Sequence, residues 1–130
     1  MTDHPNLELF RRTYAAFTAG DFDALADVFD ERTVWHNPGQ NPLSGDFAGR
    51  DAAFASFAQE FEMSGGTYAP TVHDVLANDE HIVALMHATA QREGKTLDMD
   101  YTLVFHVADG KIVEGWDLWI DQAAVDRFWS

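Results

Sequence analysis

Past Gly65-Gly66 the apolar residues stop recurring at intervals of three and four and begin to alternate, and they keep alternating as far as Asp121. Val83, Leu85, His87 and Thr89 fall on one side of a pleat, with Ile82, Ala84, Met86 and Ala88 on the other. Tyr101, Leu103, Phe105 and Val107 likewise alternate with Thr102, Val104 and His106. A period of two is the mark of β-strands. The interruptions Asn78-Asp79-Glu80, Glu93-Gly94 and Ala108-Asp109-Gly110 are short polar loops of the hairpin kind. The spacing therefore predicts four antiparallel strands in succession, about Thr67 to Ala77, His81 to Arg92, Leu97 to Val107 and Lys111 to Asp121. Such a meander has an apolar face that something else must cover, and only the N-terminal half of the chain can do it.

That half reads as helices. Leu7, Phe10, Tyr14 and Phe17 recur at helical spacing, and Gly20 follows where a left-handed C-cap is expected. Asp21 reads as the N-cap of a second helix, "DFDALADVF", with Phe22, Leu25, Val28 and Phe29 as its apolar stripe. Arg32 to His36 reads as a short strand. Asn37 to Gly49, with two prolines and three glycines, reads as a long irregular loop of the kind that forms a lid or rim. A third helix is expected from about Asp51 to Met63, carrying Phe54, Phe57 and Phe61, and Gln122 to Trp129 reads as one more helical turn. The expected class is α+β: a curved, mainly antiparallel sheet, cone-shaped, wrapped around the N-terminal helices, in one domain over residues 1–130. Two helix faces this rich in Phe and Tyr offer more large apolar surface than a thin two-layer contact needs, so a pocket between helices and sheet is expected.

Composition narrows the chemistry. There are no cysteines, so thiolate nucleophiles and cysteine metal sites are excluded. The six histidines show no His-x-His or His-x3-His spacing, so no metal and no cofactor is expected. Eight Lys+Arg against 22 Asp+Glu leave a formal charge of -14, a field that repels nucleic-acid backbones and anionic membrane surfaces. The start MTDHPNLELF has neither a basic segment nor an apolar signal core, so a cytoplasmic location is expected.

The order helix, "AGDFDAL", strand, "WHNPG", "LSG", "GRDA", helix, then four strands with "DGKIVEGW" near the end resembles the SnoaL-like branch of the nuclear transport factor 2-like superfamily. The resemblance implies a cystatin-like cone shared by ketosteroid isomerases, polyketide cyclases and limonene epoxide hydrolases, and a homodimer built on the outer face of the sheet. It also implies which catalytic groups are altered. The isomerases place an aspartate just before the proline that ends the first strand, where this chain has Asn37, and an amide cannot take a proton. Their oxyanion-donating tyrosine on the first helix falls on Thr13, one residue before Tyr14. The epoxide hydrolases carry a carboxylate two residues after the last strand's Trp, where this chain has Leu118; a one-residue slip of that strand would instead turn Asp117 inward.

The remaining candidates come from the residues themselves. His36 and His87 are the expected acid–base groups and Tyr101 the oxyanion donor, with Tyr14 as its alternative. Tyr14, Phe17, Trp35, Asn37, Phe54, Phe57, Leu103, Trp116 and Leu118 are expected to line the ligand site. Trp35 and Asn37 alternate with His36, so only one set can face inward. On the last strand it is the resemblance that implies Trp116, Leu118 and Ile120 as pocket lining, which leaves Asp117 and Trp119 for the outer face and its dimer contact. Two functions fit: a cofactor-independent isomerase, cyclase or hydrolase acting on an apolar, oxygen-bearing small molecule, or a dimeric binding protein that holds such a molecule without chemistry. The direction of His36 and His87 separates them.

Overall fold

The computed structural model describes residues 4–130, among which there are four helices and six strands. The first helix, α1 (Pro5–Ala19), starts with Pro at its first turn and His4 as cap, the ring accepting a hydrogen bond from the Asn6 N–H. It ends where Gly20 turns left-handed (φ 66°) and returns its N–H to Ala16 and Phe17. Asp21 then caps α2 (Phe22–Val28) by accepting from Ala24. Strand β1 (Phe29–Asn37) follows without a break, longer at its start than the sequence suggests.

The segment read as one irregular loop contains a short strand, β2 (Gly45–Ala48), that pairs antiparallel with β1, Trp35 opposite Phe47. Its four residues are too few for alternation to register against so many turn formers. Helix α3 (Arg50–Met63) leads into β3 (Ala69–Ala77), β4 (His81–Arg92), β5 (Lys95–Ala108) and β6 (Lys111–Trp119), and α4 (Gln122–Trp129) closes the chain. The strand order is β2-β1-β6-β5-β4-β3; all neighbours are antiparallel except β1 and β6, which makes the sheet mixed. Two of the hairpins are closed by Glu93-Gly94 and Asp109-Gly110, each pair with both φ positive, the two-residue turn that suits twisted strands.

The helices bury one face of this sheet. From β4 come Ile82, Ala84, Met86 and Ala88, and from β5 come Leu97, Tyr101, Phe105 and Val107, all buried. Phe10, Leu25 and Phe57 meet them from the helices.

One irregularity decides what faces inward. Along β5 and β6, His106 pairs with Glu114 but Val107 pairs with Ile112, so Val113 is an extra residue, a β-bulge. Ile112 is buried before the bulge, and after it Gly115 and Asp117 are the buried ones. The strict alternation expected for this strand is therefore corrected: Trp116, Leu118 and Ile120 point outward, and Asp117 points in.

Candidate functional site

Between α1, α3 and the concealed side of the sheet lies an aromatic cavity. Its walls come from Phe10, Tyr14 and Phe17 of α1, Phe57 and Glu60 of α3, Trp35 of β1, Tyr101, Leu103 and Phe105 of β5, and Asp117 of β6, with Tyr68 just before β3. It encloses about 500 Å³ of atom-free space, its open mouth included.

Packing fixes these walls. Trp35 stands edge-on to Phe57 at 4.9 Å between ring centres and tilts against Phe105 at 5.7 Å. Its six-membered ring lies over Gly115, where a Cβ would collide with it, so the inward-facing glycine of "EGWD" is what admits the indole. The indole Nε1–H donates to Asp117 Oδ2 at 3.2 Å, which holds the carboxyl at the cavity wall. Tyr68 Oη lies 3.5 Å from Tyr101 Oη, and Tyr101 stacks on Trp119 at 4.2 Å.

Two carboxyl groups thus enter an apolar enclosure. Glu60 and Asp117 are each only 7% exposed, and no lysine, arginine or histidine lines the cavity. Burial, which penalises the charged form, pushes Asp117 up to about 7, against the opposing pull of the Trp35 hydrogen bond. Burial also raises Glu60 well above the usual carboxylate range; the negative charge of Asp117 adds to this and a Tyr68 hydrogen bond offsets part of it. The tyrosines Tyr68 and Tyr101 are raised by burial and by the neighbouring acidic groups, so both keep their hydroxyl protons and serve as donors. Such a set can hold, give and take a proton near neutral pH inside a low-dielectric space. Among the described residues, no group of three or more His, Asp or Glu side chains is disposed to hold a metal ion.

Of the expected ligand-site residues, the fold brings together Tyr14, Phe17, Trp35, Phe57, Tyr101 and Leu103. Tyr14 donates its hydroxyl to the Pro70 carbonyl at 2.8 Å. The others lie elsewhere. Phe54 packs between Phe22 and Phe29, behind the cavity wall. Asn37 uses its side-chain N–H to hold the Leu43 carbonyl at 2.9 Å, pinning the loop. Trp116 lies on the outer face, stacked on His36 at 4.9 Å, and Leu118 is exposed there.

Both candidate histidines are corrected as well, because alternation sends them to the outer face. His36 Nδ1 lies 2.6 Å from Asp46 and Nε2 2.7 Å from Glu114; His87 Nδ1 lies 2.7 Å from Asp100 and Nε2 2.5 Å from Asp98. A ring bonded to carboxylates through both nitrogens satisfies them only as an imidazolium. Burial alone would lower His36, but the hydrogen bonds and charges of Asp46 and Glu114 outweigh it, and the bonds to Asp100 and Asp98 raise His87.

The groups that the sequence reading left out of the site are Glu60 and Tyr68, while Asp117 entered it only as the outcome of a one-residue slip of the last strand. Glu60 had a signal: it continues the buried α3 stripe of Ala53, Ser56 and Phe57, an acidic residue at a core position of the helical period. Asp117 was concealed by the Val113 bulge, which no alternation pattern announces. Tyr68 falls within the expected strand from about Thr67 to Ala77, whereas β3 itself begins at Ala69, so the residue precedes the pairing that would have fixed its face.

Comparison with known proteins agrees with this architecture. An uncharacterized protein of Mycobacterium tuberculosis is 36% identical over 131 residues, covering all of both chains. The structure of Bal32a, from a soil-derived mobile gene cassette, is 38% identical with a TM-score of 0.93 over 97% of each chain. A protein of unknown function with a cystatin-like fold from Xanthomonas campestris is 26% identical with a TM-score of 0.88, over 95% of this chain and 97% of that one. Residues 10–115, from the first helix to the glycine beneath Trp35, match the SnoaL-like domain model, and the chain belongs to the SnoaL-like family.

Proposed function

We propose that the cavity binds a small apolar molecule bearing a carbonyl or related oxygen, and moves a proton on it without a cofactor. The observation that carries this reading is the pair of buried carboxyls, Asp117 and Glu60, facing an aromatic enclosure with no cation to neutralise them. Asp117 near pKa 7 is about half ionised at neutral pH, the condition under which a general base is most effective. Glu60, held protonated by burial, is the complementary acid, and the Tyr68–Tyr101 hydroxyls stand ready to hydrogen-bond an oxygen as negative charge develops on it. The chemistry that fits is proton abstraction beside a carbonyl, followed by return of the proton to carbon or oxygen. The acid–base work assigned from sequence to His36 and His87 passes to these two acids. The idea of a cavity stripped of carboxylates gives way with it.

The protein is read in the same way as a homodimer joined through the outer face of the sheet. Leu76, Leu85, Leu118 and Ile120 are exposed there at 54%, 37%, 44% and 76%. His36 and His87 neutralise part of the acidic charge on that face, which makes it the place where two strongly acidic copies repel least.

The test is proton exchange. Cyclic ketones incubated with the protein in heavy water are followed by NMR for loss of the hydrogens beside the carbonyl. The expected result is exchange that rises with pH through about 7 and falls on the order of 100-fold in Asp117→Asn. Exchange no faster than in buffer, for ketones that nevertheless bind, would reduce the protein to a binding module.

A further inference from the structure

An acid pair that can share a proton can also share a cation, and the surroundings of Glu60 and Asp117 favour one. The Trp35 indole occupies only Oδ2 of Asp117, and the described residues place no donor on Oδ1. Glu60 has the Tyr68 hydroxyl as its polar neighbour and no cationic partner. Both side chains are more than nine-tenths buried and border open space, so a positive group entering the cavity meets two carboxyls at once.

The walls point the same way. The faces and edges of Phe10, Phe17, Phe57, Trp35 and Phe105 surround the acids, and aromatic faces attract an organic cation that has left water. The formal charge of -14 concentrates cations and repels anions before any contact is made. A carboxylate or phosphate ligand would meet like charge at every stage of entry.

The geometry points to a second class of guest for this cavity: an apolar primary amine in its protonated form, its ammonium held between Asp117 and Glu60 and its hydrocarbon part against the aromatic walls. The inference rests on the cavity as a ligand site but not on proton transfer. An ammonium bound there stabilises both carboxyls in their ionised forms, so binding expels the proton they would otherwise keep. It therefore also removes the acid on which proton transfer depends, and such an amine inhibits any exchange the cavity carries out.

Benzylamine and benzyl alcohol, nearly equal in shape and different in charge, make the comparison direct. Titration calorimetry at about pH 8 is expected to give benzylamine about tenfold or more the affinity of the alcohol, with a heat that varies with the buffer because protons are released. The preference is expected to shrink toward about pH 5.5, where Asp117 is largely protonated while the amine stays charged. Asp117→Asn and, independently, Glu60→Gln are expected to remove most of it, bringing the affinities for amine and alcohol to within about threefold of each other, since each replacement keeps the shape and removes the charge. Circular dichroism of each variant checks that the fold persists. Equal affinity for the two ligands at about pH 8 overturns the inference. So does benzylamine binding that survives both substitutions, which would place the amine on surface carboxylates. If ketone exchange proceeds while benzylamine fails to bind, this inference falls and the proposed function stands; the reverse result separates them in the other direction.

Discussion

Asp117 has a cost for the fold that can be measured. Its pKa moves from an ordinary 3.8 to about 7 because the native state buries it among aromatic rings. Below the unfolded value both states hold the proton and burial of the neutral carboxyl carries no ionisation penalty. As pH rises, the unfolded chain releases the proton first, and native stability is lost until the folded group titrates near 7. Three pKa units correspond to about 4 kcal/mol, an upper figure because Glu60 titrates together with it. Asn fills the same space and cannot ionise, so Asp117→Asn is expected to melt higher than the natural protein above about pH 7 and to match it near pH 4. Thermal unfolding across that range checks it, and a variant less stable at every pH would show that the Trp35 hydrogen bond outweighs the buried charge. A residue that destabilises the fold at working pH and gains no partner for its charge fits a site kept for function.

The strand that carries Asp117 also shows what the sequence can and cannot convey. Elements bounded by turn chemistry were legible to within a residue or two: Asp21 and Gly20 delimit helices, and Glu93-Gly94 and Asp109-Gly110 close hairpins, because those conformations demand particular residues. Glu60 was legible in principle, since the α3 period itself places it with Phe57. The bulge at Val113 was not, because an extra residue in one strand is accommodated by its neighbour's register, which local sequence does not encode. Everything after it on β6 changed face, and with it the chemistry of the cavity. Gly115 is the first inward residue beyond the bulge, beneath the Trp35 ring. Gly115→Ala is therefore expected to cost roughly 1–3 kcal/mol by overpacking, seen as a lower denaturant midpoint, and to displace the indole from Asp117. A shift in tryptophan fluorescence should accompany the loss; an unchanged midpoint would mean that the ring has room to retreat.

On the scale of the whole molecule the sheet separates two environments, and the proposed dimer contact belongs to the outer one. A net charge of -14 opposes association anywhere that acids are bare. On the outer face His36 and His87 each bridge two carboxylates, and Leu85 and Leu118 stand exposed beside Val104, Thr102 and Trp116 of neighbouring rows. A two-fold contact there would bury the same apolar rows from both copies, the self-complementary arrangement that closed dimers use. Placing one carboxylate in the middle of such a contact puts two like charges near the axis without touching the cavity. Leu118→Glu, with its side chain in solvent in the single chain, is therefore expected to leave the melting temperature of the isolated protomer nearly unchanged while shifting a dimer to monomer in sedimentation velocity at micromolar concentration. Because both bridging histidines are raised by their carboxylate partners, the charge they cancel is fully cancelled below the ordinary histidine value and returns as pH climbs through their raised values. Dimerisation of the natural protein should weaken in that direction, and an association constant that is flat or rises with pH would place the contact on another surface.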